Sequence, residues 1–255
     1  MLGTRPFDLT ASPAGAAGVP GPLASLALLQ VADITRIRSF WRSVERFPPG
    51  AMIHVGPKSP RKQFVIVSGW GCETRILPDG RRQIFSFLLP GDVVDLTRGS
   101  QAGRRSFLSL TRLEIVDAGV LIAAEPGDGE DVAEALRQAA ARTEDRLFDH
   151  MVRIGRLTAK ERVLHLLLEL HDRLQAVGMV REDSFRLPLT QEVFADALGL
   201  SIVHINRTLQ QLRRSARITL KGGSVTLHDR AKLSAYACYE SGNHQKRSFA
   251  PSLPA

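Results

Sequence analysis

Cysteine is nearly missing from this chain. Its 255 residues hold two, Cys72 and Cys238, in different halves. Two thiols so placed supply neither a disulfide framework nor, by themselves, a zinc or iron–sulfur ligand set, and such sparse use fits a reducing cytoplasm. No apolar run approaches the ~18 residues of a membrane span. The stretch from Met1 to Pro22 lacks the continuous apolar segment of a signal peptide. No phosphate-cradling glycine loop and no nucleophile–base motif occurs. Clustered metal ligands are missing too: the N-terminal half has only His54, so the His and carboxylate set of a cupin-type metalloenzyme is absent. His165 and His171 lie six apart, a spacing that does not bring both to one helix face. Acidic residues are in deficit, 26 against 34 Lys and Arg, for a net charge of +8. A surplus of that sign favours a polyanionic partner, nucleic acid ahead of an anionic membrane surface.

What is present divides the chain. Residues 1–25 and 241–255 are rich in Ala, Gly, Pro and Ser without periodicity and read as disordered tails. Over 26–125 the pattern is one of short strands cut by turns. Pro48-Pro49-Gly50, Ser68-Gly69 and Pro90-Gly91-Asp92 are turn signals, and Asp79-Gly80 is the strongest hairpin signal in the chain. Such spacing predicts an antiparallel roll or barrel, with a short helix around Ile34–Val44 at its entrance. From 126 to 156 the pattern becomes helical. Acids crowd the first turns (Asp128, Glu130, Asp131, Glu134), where they complement the helix dipole. Leu136, Ala140, Thr143, Leu147, His150 and Ile154 recur at spacings of four and three. Two readings stand at this point: a helix covering the sheet, or a seam between two copies of the chain. Gly155 is expected to end that helix.

Residues 157–240 form the last unit. Thr158-Ala159-Lys160-Glu161 has the capping-box form and opens a helix to about Gln175. Thr190 can cap a helix through Leu198, Gly199 supplies a tight turn, and Leu200 can plug the space between two helices. Ser201 can cap a second helix, Ile202 to Arg213, with Ile205, Leu209 and Leu212 inward. That leaves Val203, His204, Asn206, Arg207 and Gln210 outward or flanking. Two short helices joined by a glycine turn make a helix-turn-helix, whose second helix enters the DNA major groove. Arg217–Leu220, the turn Lys221-Gly222-Gly223-Ser224, and Val225–Leu227 then make a hairpin where a wing belongs. Asp229 caps a last helix. From Ile202 to Lys232 seven basic residues face one acid, whereas Leu121–Gly155 carries eight acids and four arginines. The positive field thus sits on the reading head. A solvated basic helix in an ordinary bundle would need neither the caps nor the plug nor the wing.

At this point the chain resembles a known family. The segment LTQEVFADALGLSIVHINRTLQQLRR looks like the helix-turn-helix of the CRP/FNR superfamily, that of the cyclic-AMP receptor protein and the fumarate–nitrate regulator. GRLTAKERVLHLLLEL is similar to that family's hinge and first DNA-domain helix. RFPPGAMIHVG, FVIVSGWG, DGRRQIFSFLLPGDVVDL and the later RRS resemble its cyclic-nucleotide-type β-roll. The likeness covers about residues 44–235. It implies an α+β fold with an N-terminal cyclic-nucleotide-binding-like β-roll, a long dimerisation helix and a C-terminal winged helix-turn-helix. It further implies a homodimer on palindromic double-stranded DNA, with RNA polymerase as a further partner and no membrane. Base reading carries over to Val203, Asn206 and Arg207, with His204 nearby. Thr190, Gln191 and Ser201 match phosphate-touching positions, and the wing adds Arg217 and Lys221. Leu136, Ala140, Thr143, Leu147 and Ile154 become the dimer seam. The chain departs from the best-known readers in carrying apolar Ile202 and Val203 where they have charged residues, so its target cannot be borrowed from them.

The effector stays unknown on these grounds. Cyclic-nucleotide binders of the family hold the ribose and phosphate with a Gly-Glu pair and a later Arg-Ser pair. Arg105-Ser106 match the second, but the first is broken and leaves only Asp95, so cyclic nucleotides are expected to have no effect. An iron–sulfur sensor would need the cysteine cluster this chain lacks. His54 and His150 are lone histidines, more often structural than haem ligands. The rival within DNA binding is an architectural protein without sequence preference, which a footprint lacking defined edges would reveal.

Overall fold

A computed structural model describes residues 44–53, 63–95, 105–118 and 129–240. The tails at 1–25 and 241–255 lie outside the described residues, as does the helix expected around Ile34–Val44 except for Val44, which is not helical. Eight strands come first: β1 (Glu45–Phe47), β2 (Met52–Ile53), β3 (Gln63–Ser68), β4 (Gly71–Ile76), β5 (Arg82–Leu88), β6 (Val93–Asp95), β7 (Ser106–Ser109) and β8 (Leu113–Asp117). They form two antiparallel four-stranded sheets, in the orders β1-β8-β3-β6 and β2-β7-β4-β5. The chain crosses repeatedly between the sheets, which binds them around one core of Ile53, Phe64, Ile66, Leu88, Phe107 and Leu113. The β3–β4 turn needs its glycine. Gly69 has φ +85°, and a Cβ there would stand 2.0 Å from the Arg112 carbonyl oxygen. The Asp79-Gly80 signal does join β4 to β5, where the Asp79 carboxylate accepts from the Arg81 backbone N–H (3.1 Å) and Nε (2.7 Å).

Helix α1 follows, Gly129–Arg156, 28 residues long, or roughly 42 Å at 1.5 Å per residue. It runs through Gly155 instead of ending there. A lone glycine costs a helix about 1 kcal/mol, too little to end one. The chain turns at Leu157-Thr158, where the Thr158 N–H donates to the Glu161 carboxylate at 2.8 Å. That cap starts α2, Ala159–Ala176. Every residue from Val163 to His171 is buried, Glu169 and both histidines included. A helix stretch buried on all sides belongs inside a structure, and α2 is the hub of the C-terminal domain. Around it stand β9 (Ser184–Arg186), α3 (Gln191–Leu198), α4 (Ile202–Arg214), β10 (Ile218–Lys221), β11 (Ser224–Leu227) and α5 (Arg230–Tyr236). Its polar groups are tied as well. Asp172 accepts from Arg230 and from Tyr239 Oη (3.0 Å), and His171 Nε2 pairs with Asp183 at 3.0 Å.

The two domains share a core. Trp70, Cys72, Ile84, Phe87 and Leu89 of the roll pack into one apolar cluster with the leucines of α2 and the buried side of α3. Burial pushes the Cys72 thiol up to about 12, so it stays protonated and behaves as a small apolar side chain. Polar ties cross the same junction. Arg82 of β5 binds Asp196 of α3, and Arg173 of α2 donates to the Phe87 carbonyl at 2.7 Å.

Candidate nucleic-acid interface

Thr190 and Ser201 set the geometry of the helix pair. Thr190 Oγ1 accepts from the Val193 N–H and Ser201 Oγ from the His204 N–H, each at 3.2 Å. Each hydroxyl satisfies one of the four donors a helix start leaves open. Between the helices Gly199 adopts φ +62°, ψ 39°, the left-handed conformation that favours glycine. Leu200 is half-buried and packs against the shared core as the expected plug.

The second helix, α4, buries Ile205, Thr208, Leu209 and Leu212. Its other face is in water. Ile202 and Val203 are 50% and 69% exposed, and His204, Asn206, Arg207 and Gln210 are exposed beside them. Val203, Asn206, Arg207 and Gln210 follow the i, i+3, i+4, i+7 rule and share one stripe. Gln210 Nε2 donates to Asn206 Oδ1 at 3.3 Å, which orients the Asn206 amide. The first turn of α4 carries no acid, while Arg213 and Arg214 occupy the last. Thr190, Gln191 and Ser201 are exposed at the two helix starts.

The wing is a three-stranded sheet, β10-β11-β9. Lys221 pairs with Ser224 across the Gly222-Gly223 turn and is exposed. Arg217 is only half-exposed: its guanidinium lies 3.7 Å from the centre of the Tyr236 ring. Sequence reasoning missed Arg186. This exposed residue of β9 donates to the Gly222 carbonyl at 2.8 Å and adds a cation beside the wing tip. No local signal marks it, because β9 exists only through its long-range pairing with β11.

In the roll, Asp95 ends β6 of one sheet and Ser106 begins β7 of the other. Arg105 is an ion-pair partner of Glu73, a β4 carboxylate buried in the sheet, which the sequence did not single out. On α1, Leu147 is 43% exposed in a patch with Phe148, Met151 and Val152. Thr143 and Ile154 are half-buried, and His150 points inward at 5% exposure. Leu136 and Ala140 lie on the first turns of α1, whose side chains are outside what is described.

Residues 161–236 match the Crp-like helix-turn-helix domain family. The chain is 32% identical over 170 residues to the nitrogen fixation regulation protein FixK of Bradyrhizobium diazoefficiens, covering 64% of this chain and 68% of that protein. With FixK of Azorhizobium caulinodans the identity is 35% over 176 residues, covering 67% and 69%. The chain belongs to the CRP/FNR family. It is therefore a DNA-binding transcription regulator and not an enzyme. The structure of FixK2 from Bradyrhizobium japonicum superposes with a TM-score of 0.61 at 27% identity, over 75% of this chain and 95% of that one. A CRP-family regulator from Thermus thermophilus shares the fold at a TM-score of 0.59 and 21% identity, over 76% and 96%. These matches agree with the α+β architecture of a CRP/FNR protein: β-roll, long helix, winged helix-turn-helix. Among the described residues no helix is long and apolar enough to cross a membrane.

Proposed function

We propose that this CRP/FNR regulator acts in the cytoplasm as a homodimer on a palindromic operator, with RNA polymerase as a further partner. The observation that carries the reading is the apolar patch on α1. Leu147, Phe148, Met151 and Val152 are 43–55% exposed, and steps of one, four and five residues place them on one helix face. Burying the exposed half of each against a symmetry mate would contribute about 0.7–1.5 kcal/mol. The seam so formed runs through Leu136, Ala140, Thr143 and Leu147 and continues to Met151, because His150 is turned inward. Ile154, half-buried, lies at its margin.

In each half-site Val203, Asn206 and Arg207 face base edges, with His204 beside them. Arg207 suits the O6 and N7 of guanine, and apolar Val203 suits the thymine methyl. Thr190, Gln191, Ser201, Arg217 and Lys221 lie against the phosphates. Asp95, Arg105 and Ser106 remain the candidate effector contacts of the roll. Selecting bound sequences from a random DNA pool tests the reading. It should return an inverted repeat with half-sites about one helical turn apart, ~34 Å. A pool without a motif, or with a single unpaired half-site, would refute it.

A further inference from the structure

Strand β5, helix α1 and the helices α2 and α3 line a small cleft of about 10 Å³ at the domain junction, room for one small solute. Its polar wall is built from Ser86, Arg146, His150, Arg153 and Glu169. His150 and Arg153 are 5% and 2% exposed, and the Arg146 side chain 11%.

The charges around the cleft do not balance. Arg146, Arg153 and Arg173 face two carboxylates, Asp92 and Glu169. The hydrogen bonds do not balance either. Arg146 Nε and His150 Nε2 are buried and find no partner among the described residues. Their chemistry is the same. A guanidinium only donates, so His150 Nδ1, 3.4 Å from Arg153 Nη1, is the accepting nitrogen. The ring proton therefore sits on Nε2. Two buried donors, four residues apart on one helix face, lie in a place with surplus positive charge. Buried donors are nearly always paired. The partner that suits these two accepts twice, carries negative charge and is small.

We propose that this cleft binds one small monovalent anion, a halide or a short carboxylate, held by Arg146 Nε and His150 Nε2. The site is separate from the DNA-reading face and from Arg105 in the roll. Its occupant would join the roll, α1 and the DNA-binding domain, the three parts whose placement aims the recognition helix. A small-anion signal would enter the protein here.

The test uses the full chain in a buffer whose only other anion is a bulky sulfonate, at constant ionic strength. Sodium formate and sodium chloride are titrated separately by calorimetry, which also tells the two anion classes apart. The expected result is a saturable one-to-one isotherm with at least one of them. His150→Leu should weaken it roughly tenfold or more, the loss of one hydrogen bond to a charged group. His150→Gln, whose amide N–H replaces the donor, should restore it. Arg146→Gln gives a second reading if His150→Leu does not fold. No saturable binding by the parent, as for a cleft that holds only water, overturns the proposal. So does binding that survives both His150→Leu and Arg146→Gln, since the basic DNA-binding face would then be the site. A footprint on the selected operator, run on the same proteins, tests the DNA reading separately.

Discussion

Arg82 and Asp196 join the two domains across the junction, with Arg82 Nε 2.7 Å from Asp196 Oδ2 and both side chains about four-fifths buried. The pair links a strand of the roll directly to the first helix of the helix-turn-helix. A double-mutant cycle with Arg82→Ala and Asp196→Ala, read by denaturant unfolding, should give a coupling of about 1 kcal/mol, with part of it lost in high salt. Additive single mutants would show that the domains do not dock through this pair in solution.

In the proposed function the outward stripe of α4 carries the sequence preference. Arg207→Ala should cost roughly 1–3 kcal/mol of specific binding per half-site and relax preference at one base pair. Replacing the thymine opposite Val203 by deoxyuracil removes one methyl and should cost about 0.8 kcal/mol. The penalty should shrink in Val203→Ala. Gel shifts on matched operators decide it, and equal affinity for thymine and uracil DNA would mean that Val203 faces no methyl.

Arg217 has a double role. Its stacking on Tyr236 is worth about 0.5–1 kcal/mol, so Arg217→Ala should lower the unfolding midpoint as well as weaken all DNA sequences alike. Lys221→Ala should flatten the salt dependence of binding with no change in midpoint. Thermal unfolding beside salt titrations separates the two, and an unchanged midpoint for Arg217→Ala would show that the stacking contributes nothing.

Leu147→Arg and Met151→Arg should each split the proposed dimer at micromolar concentration, because its two-fold axis would set like charges against each other. Palindrome affinity should fall far more than nonspecific affinity. Light scattering at several concentrations checks this, and a variant that stays dimeric with normal operator affinity would place the interface elsewhere.

Acid should loosen the junction in two stages. Burial and then Arg153 push His150 and His165 down to about 4 from 6.5. Between those values the unfolded chain binds more protons, so stability falls as the pH drops, by up to about 1.4 kcal/mol per unit for each ring. For Glu169, burial acts to raise the pKa, but Arg153 and Arg173 prevail and hold it at about 2. Its contribution is present above 4.5 and lost as the pH falls toward 2. His165→Gln should shrink the upper stage to about half, the share of His150, and leave the lower one. A pH series of unfolding midpoints that is flat between 6.5 and 4 would contradict the buried, neutral state of both rings.

The caps Thr190 and Ser201, the turn at Gly199, the plug Leu200 and the Asp79-Gly80 hairpin were legible in the sequence because each is local chemistry within a few residues. The end of α1 was not. Gly155 carries a weak propensity signal, and the cap at Thr158 outweighed it. The face of α1 was only half legible, since Leu147 is exposed as a seam residue should be and His150 is turned inward. What the sequence by itself determined is the order of elements, the helix-turn-helix with its outward stripe, and the charge that suits DNA. Only the tertiary structure decided that Arg105 is held by Glu73, that Arg186 reaches the wing tip, and that Asp92, Arg146, His150, Arg153, Glu169 and Arg173 meet at one junction. Those groups come from the turn before β6 and from two consecutive helices much later in the chain. Their pairing depends on how a strand, a long helix and a buried helix pack together, and no periodicity along the sequence records it.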